Sequence, residues 1–201
     1  MKTKRAIKQL KALKKYAPDS MRLAAEWNKP WHVLISTILS ARTRDETTIA
    51  ICAILFKKYE SIKMLANASL KDVKKIILPV NFYKTKAKNI IACARVLVEK
   101  YNSNPPHDFN KLMELSGVGR KTSNVFLAVM GKPAIGVDVH VGQISRKLGW
   151  TNHKEPWKVE KDLQALFPKR YWRSINYILV RVGRTYRGKK EDELIEKIKE
   201  I

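Results

Sequence analysis

The stretch KPWHVLISTILSART, residues 29–43, sets the fold class. Trp31, Leu34, Ile35, Ile38 and Leu39 recur at i, i+3, i+4, i+7 and i+8, the spacing of one helix face, and Pro30 suits a first turn. The same period runs along the whole chain. Ile7, Leu10 and Leu13 line one face of a first helix. Asp45 reads as an N-cap, with Ile49, Cys52, Ala53 and Phe56 on the buried side. Short helices are predicted over 61–66 and 70–77, and Pro79 then breaks the chain. From 84 to 101, the positions of Ala87, Ile90, Ile91, Ala94, Leu97 and Val98 make a long amphipathic helix. After the loop NSNPPHD, Asn110 or Asp108 caps a short helix that ends at Gly117. Further helices follow from Gly119 to about Met130, over 138–148, from Pro156 to Pro168, over 171–186, and in the tail from Lys190. No segment alternates with a period of two and no glycine-asparagine hairpin occurs, so the class is all-α with roughly ten to twelve helices.

Charge narrows the partner. The chain carries 41 Lys and Arg against 18 Asp and Glu, a formal net charge of +23. That excess argues for a polyanion, with a merely solubilising cationic surface as the alternative. Apolar residues make up 45% of the chain, enough for a true core. The two cysteines, Cys52 and Cys93, sit among apolar residues at helical spacing and read as buried free thiols. With no Cys-x-x-Cys and no paired histidines, a zinc finger or thiolate-held cluster lacks its ligands. No apolar run is long enough to span a bilayer. The basic start MKTKRAIKQLKALKKYAP has no hydrophobic region or cleavage signature, so a first helix is a simpler reading than a transit peptide.

The chemistry concentrates in LSGVGRKTSNV, residues 115–125. Two helices joined through Gly117, Val118 and Gly119 form a tight hairpin, with Val118 tucked back between them. Backbone N–H groups and the positive end of the second helix then make a phosphate-binding arrangement. A plain helix boundary with a solvated basic first turn would give the same three residues. A nucleotide-binding P-loop is excluded by pattern: Arg120 separates Gly119 from Lys121, and the preceding segment is helical. Lys121 stands at the wrong end of a helix dipole and beside Arg120. Both effects disfavour its ammonium form and favour the neutral amine that attacks carbon. A phosphate contact accounts for Lys121 equally well. In PAIGVDVHVGQISRKLGW, Asp138 lies among valines ahead of a helix. It reads first as an N-cap, and a rigid capping carboxylate could also stabilise a cationic, sugar-like transition state.

The combination GVGRKT followed by VDVH resembles the helix-hairpin-helix and Gly-Pro-Asp segment of the endonuclease III family of DNA glycosylases. LISTILSARTRDETT, NFYKTKAKNIIACARVL and YILVRVGRTY are similar to further segments of that family, so the resemblance covers nearly the whole chain. It implies a two-lobed helical glycosylase fold: a first helix (1–20) packing with the C-terminal lobe, a barrel-like lobe with the hairpin (21–134), and the C-terminal lobe itself (135–201). DNA would cross the cleft between lobes, at the mouth holding Lys121 and Asp138.

The resemblance also implies roles. Lys121 would attack C1′ of the damaged nucleoside and form a Schiff base, and Asp138 would assist base loss. Gly117, Val118, Gly119, Arg120 and Thr122 would grip phosphate, with an alkali cation at the hairpin loop. Phe82 would enter the base stack and Arg42 would fill the gap left by the extruded nucleotide, where many members carry glutamine. Read without the family, Phe82 could be ordinary core and Arg42 a solvated helix end. Lys84, His140, Arg184 and Arg187 complete the expected DNA contacts, with Arg181, Lys189 and Lys190 as further basic candidates.

The implied function is excision of damaged or mismatched bases, oxidised pyrimidines first, with abasic-site lyase activity. The alternatives are a monofunctional uracil or mismatched-thymine glycosylase and a non-catalytic DNA-binding module. The implied partner is double-stranded DNA carrying a lesion or abasic site, met by a monomer inside the cell, in the cytoplasm or nucleoid, without a membrane. One departure matters. Most of the family carries four cysteines for an iron–sulfur cluster, but Arg187 stands at the first of these positions and no cysteine follows it. The expected cofactor set therefore holds no iron–sulfur cluster, and beyond the alkali cation at the hairpin loop it is empty.

Overall fold

The computed structural model describes residues 2–201, which form twelve α-helices and no strand. In chain order these are α1 (Lys2–Lys14), α2 (Pro30–Ser40), α3 (Asp45–Lys58), α4 (Ile62–Ala66), α5 (Leu70–Ile76) and α6 (Tyr83–Lys100). They continue with α7 (Phe109–Met113), α8 (Arg120–Val129), α9 (Val139–Lys147), α10 (Pro156–Leu166), α11 (Lys169–Thr185) and α12 (Lys189–Lys199). The chain divides into two compact units. One is Arg22–Met130; the other joins the residues through Met21 to Gly131–Ile201.

In the Arg22–Met130 unit, α2 is the central element. Every residue from Val33 to Leu39 is buried, including Ser36 and Thr37. These two hydroxyls donate to the Val33 carbonyl at 3.0 and 2.6 Å, so the polar positions are satisfied within the helix. Helices α3, α6 and α8 pack around α2, and α4 and α5 lie on α6. Trp27, Trp31, His32 and Phe56 form an aromatic cluster, with the His32 ring stacked on Phe56 at 3.9 Å. Burial pushes the His32 pKa down to about 4, helped by the Lys29 charge.

Several local expectations change. Arg44, not Asp45, is the N-cap of α3, and the Asp45 carboxylate accepts the Ala24 N–H at 3.1 Å. A partner 21 residues away outcompetes the local cap. The buried stripe of α3 is Thr48, Ile51, Cys52, Leu55 and Phe56, while Ala53 is exposed and Ile49 half-buried. Asp108, not Asn110, caps α7, which stops at Met113 rather than reaching Gly117. Cys52 and Cys93 are buried free thiols, and burial pushes both up to about 12.

In the second unit, α11 packs on α9, α1 and α10. It begins at Lys169, two residues before the predicted start. Helix α1 buries Ala6, Gln9, Leu10 and Leu13, and Ile7 lies at the margin of that face. The tail forms α12, which buries Leu194, Ile195 and Ile198. Polar ties hold it at two sides. Gln9 donates through Nε2 to the Ile198 carbonyl at 3.2 Å, and the Arg5 guanidinium donates to the Lys199 carbonyl. On α9, Lys147 pairs with Glu191 and with Asp192, the latter at 2.7 Å. No helix among the described residues is long and apolar enough to cross a membrane.

Candidate active site and nucleic-acid interface

The hairpin between α7 and α8 is built by two glycines with different duties. Gly117 has φ +79°, and a Cβ there would lie 2.9 Å from Asn89 Cβ and 3.2 Å from Ile38 Cγ2. Only glycine lets the turn sit this close to α6 and α2. Val118 is buried as expected, and its N–H donates to the Leu115 carbonyl at 3.0 Å. Gly119 is the N-cap of α8 with an ordinary extended backbone, and a Cβ there would meet nothing within 4 Å. Folding does not demand glycine at 119. Its missing side chain instead leaves the mouth of α8 open to something approaching from outside.

That mouth is electropositive. No side chain caps α8 and its first turn holds no acid. An uncapped N-terminus presents N–H groups and the positive end of the helix dipole to an anion. Arg120 is exposed, with its guanidinium 5.1 Å from the centre of the Phe109 ring. Lys121 is exposed in the same turn, so its amine is accessible to a solute. Thr122 is buried.

A second feature of this unit joins the α2–α3 turn to the loop before α6. Phe82 is 57% exposed, which excludes a core role. Its backbone is left-handed, φ +59°, as is that of Arg42, φ +56°. Non-glycine residues held there carry strain that the surroundings must offset. The Arg42 guanidinium carbon stacks 4.8 Å from the Phe82 ring centre. Asn81 binds the turn twice: its side-chain amide donates to the Arg42 carbonyl, and its N–H donates to Thr43 Oγ1 at 3.2 Å.

Beneath them, Lys86 is only 6% exposed. Its Nζ donates to the Leu39 carbonyl (2.7 Å), the Ala41 carbonyl (2.6 Å) and Thr43 Oγ1 (3.2 Å). Burial pushes its pKa down to about 8. Lys84, two residues earlier, is exposed. The sequence reading missed Lys86 and the role of Asn81. A lysine inside a basic helix reads as surface, and its acceptors lie more than 40 positions upstream.

In the other unit, Asp138 is half-buried and caps α9: Oδ1 accepts the Val141 N–H at 2.9 Å. The segment leading to it is fixed by Asn176, whose amide donates to the Gly136 carbonyl at 2.7 Å. Val139, next to Asp138, is 69% exposed, an apolar side chain left in solvent beside a carboxylate. The His140 ring packs against α11 at Gly183. A Cβ at Gly183 would fall 2.4 Å from its Nδ1, so that contact requires glycine. Arg184 is half-buried and Arg187 exposed, as are Lys189 and Lys190. Arg181 breaks the expectation. It is 1% exposed on the inner face of α11, with its guanidinium 3.5 Å from the centre of the Tyr177 ring, and cannot reach a phosphate.

An iron–sulfur cluster does not fit these residues. Cys52 and Cys93 lie on α3 and α6, buried, and the segment after α11 offers Arg187 and then α12.

A family model described as HhH-GPD superfamily base excision DNA repair protein matches residues 35–169. Endonuclease III of Thermotoga maritima is 43% identical over 156 residues, covering 77% of this chain and 73% of the relative. Endonuclease III of a Synechocystis species is 34% identical over 185 residues, covering 91% and 84%. A structure of a trapped endonuclease III–DNA covalent intermediate in an estranged-adenine complex superimposes with a TM-score of 0.85 at 32% identity, covering 93% of this chain and 89% of that one. A thermostable thymine-DNA glycosylase shares the fold, with a TM-score of 0.79 at 20% identity.

Proposed function

Because the chain belongs to the HhH-GPD superfamily of base excision DNA repair proteins, we propose that it is a DNA glycosylase with abasic-site lyase activity, acting on lesion-bearing duplex DNA through a Schiff base on Lys121. The observation that carries the residue assignment is the exposed Lys121 amine in the uncapped first turn of α8, beside a Gly119 whose side-chain space is empty.

The reaction starts with a nucleotide turned out of the helix, at a cost of roughly a few kcal/mol. Phe82, exposed and stacked with Arg42, is the side chain suited to hold the opened stack. The Lys121 nitrogen bonds to C1′ as the glycosidic C1′–N bond breaks, and the base departs with the electron pair and takes up a proton. Positive charge develops on the sugar in that step, and the Asp138 carboxylate is the group that stabilises it. Ring opening gives an imine between Lys121 and C1′. Loss of a C2′ proton then expels the 3′ phosphate and nicks the strand, and water releases the lysine. The phosphates on either side are held by the hairpin amides and by Lys84, Arg120 and Arg187, which are exposed, and Arg184, which is half-buried. No step runs through a metal, since the imine itself is the electron sink. Such an enzyme works where the chromosome is, in the cytoplasm or nucleoid.

Borohydride reduction in the presence of abasic-site DNA tests the assignment. The wild type should give a covalent protein–DNA adduct, and Lys121→Ala should give none. Undiminished trapping in that variant would move the nucleophile elsewhere. Base release without nicking by the wild type would reduce the activity to a monofunctional glycosylase.

A further inference from the structure

Helix α11 grips the chain on both sides of Asp138. Two residues before it, the Asn176 side-chain amide donates to the Gly136 carbonyl at 2.7 Å. Two residues after it, the His140 ring packs at Gly183. Asn176 and Gly183 are seven residues apart, about two turns along one face of α11. The grip at Gly136 is directional where its surroundings are not. Ile135 and Val137 are buried on either side of it, but apolar burial fixes depth rather than orientation. Among the described residues, no backbone hydrogen bond pairs 132–137 with another segment. The Asn176 amide is therefore what orients the peptide that leads into Asp138. Past that point the carboxylate is held by its own helix. Its Oδ1 accepts the Val141 N–H at 2.9 Å, which leaves Oδ2 for a substrate.

We propose that Asn176 is a positioning residue for base excision: from α11 it sets the approach of the chain to α9, and so the place of the Asp138 carboxylate. It touches no reacting atom and acts only through Asp138. This rests on the excision reading, in which Asp138 stabilises the sugar cation, and it adds the group that keeps that carboxylate in place. Electrostatic stabilisation depends on a charge fixed in advance, and a displacement of about 1 Å can cost on the order of 100-fold in rate. Schiff-base formation depends on Lys121, which belongs to the other unit. Loss of the Asn176 bond should therefore slow base release and spare the attack on a site that has already lost its base.

Two substitutions remove the bond. Asn176→Asp keeps the shape and, once ionised, has no donor; Asn176→Leu has no polar atom. Asn176 is half-buried, and the aspartate variant serves for every comparison should the leucine disturb folding. Base release is measured in single turnover at saturating enzyme. Borohydride trapping is measured separately, on a duplex with a preformed abasic site. Variants that keep the native melting transition should release base on the order of ten- to a hundredfold more slowly, and should trap the abasic site within about threefold of the wild type. A double-mutant cycle adds the second arm. In an Asp138→Asn background, removal of the Asn176 donor should slow base release by less than about twofold more, since the group it positions has lost its charge. Base release near the wild-type rate in both single variants, trapping that falls in step with base release, or a full further loss in the double variant would each overturn the assignment. Failure of the excision reading is separable: it would appear as base release by Asp138→Asn at the wild-type rate, or as none by the wild type.

Discussion

At position 138 one carboxylate caps α9 and, in the proposed reaction, stabilises a developing sugar cation. The two roles separate by substitution, because asparagine caps helices about as well as aspartate but has no charge. Asp138→Asn should melt close to the wild type and lose base release by on the order of 100-fold or more in single-turnover assays. Asp138→Ala should lose the activity and also about 0.5–2 kcal/mol of stability. Equal rates for wild type and Asp138→Asn would remove the charge from the mechanism. His32 gives a second residue-scale prediction. Its pKa is about 4 in the fold against 6.5 in an unfolded chain, so between these values the unfolded state binds more protons. The contribution is fully present above pH 6.5 and is lost as the pH falls toward 4. Urea titrations between pH 4 and 7 should show this slope, and His32→Phe should flatten it. The Nε2 atom has no partner in its buried setting, so the aromatic replacement leaves no new polar group stranded.

At the scale of elements, the hairpin glycines should respond differently to the same change. Gly117→Ala puts a Cβ against Asn89 and Ile38 at a left-handed position, and should cost more than 1 kcal/mol by thermal or urea unfolding. Gly119→Ala meets open space and should fold normally, but it should weaken DNA binding by crowding the mouth of α8. Similar melting of both variants would contradict this division of labour. The elements also show what could be read from sequence. Helix α2 was legible because its burial is set by its own period, and Asp138 because a cap and its N–H partner are three residues apart. Asp45 and Lys86 were not, because their partners come from distant chain: Ala24 for the carboxylate, Leu39 and Ala41 for the amine. Arg181 misled for the same reason. An arginine in a basic helix reads as solvated, and only the packing of α11 turns it inward. Lys121 was legible as a candidate nucleophile through the family motif, while the ties among Arg42, Asn81, Phe82 and Lys86 emerge only from the fold.

For the whole molecule, charge sets the binding thermodynamics. With a net charge of +23, the protein should release many counterions on DNA. The logarithm of affinity should fall linearly with the logarithm of salt concentration, by about 0.9 per phosphate neutralised on duplex DNA. A flat dependence in anisotropy titrations would contradict an electrostatic interface. The two units also differ in how chain order relates to packing. Arg22–Met130 is one continuous stretch, whereas the other unit pairs α1 with α11 and α12. During synthesis the first unit has all its sequence as soon as residue 130 leaves the ribosome. Helix α1 packs on α10, α11 and α12, so its apolar face, with Leu10 and Leu13, stays uncovered until those later helices have been made. A ribosome stalled between those points would hold a finished middle and an uncovered beginning, and α1 is where a chaperone or protease would find the nascent chain.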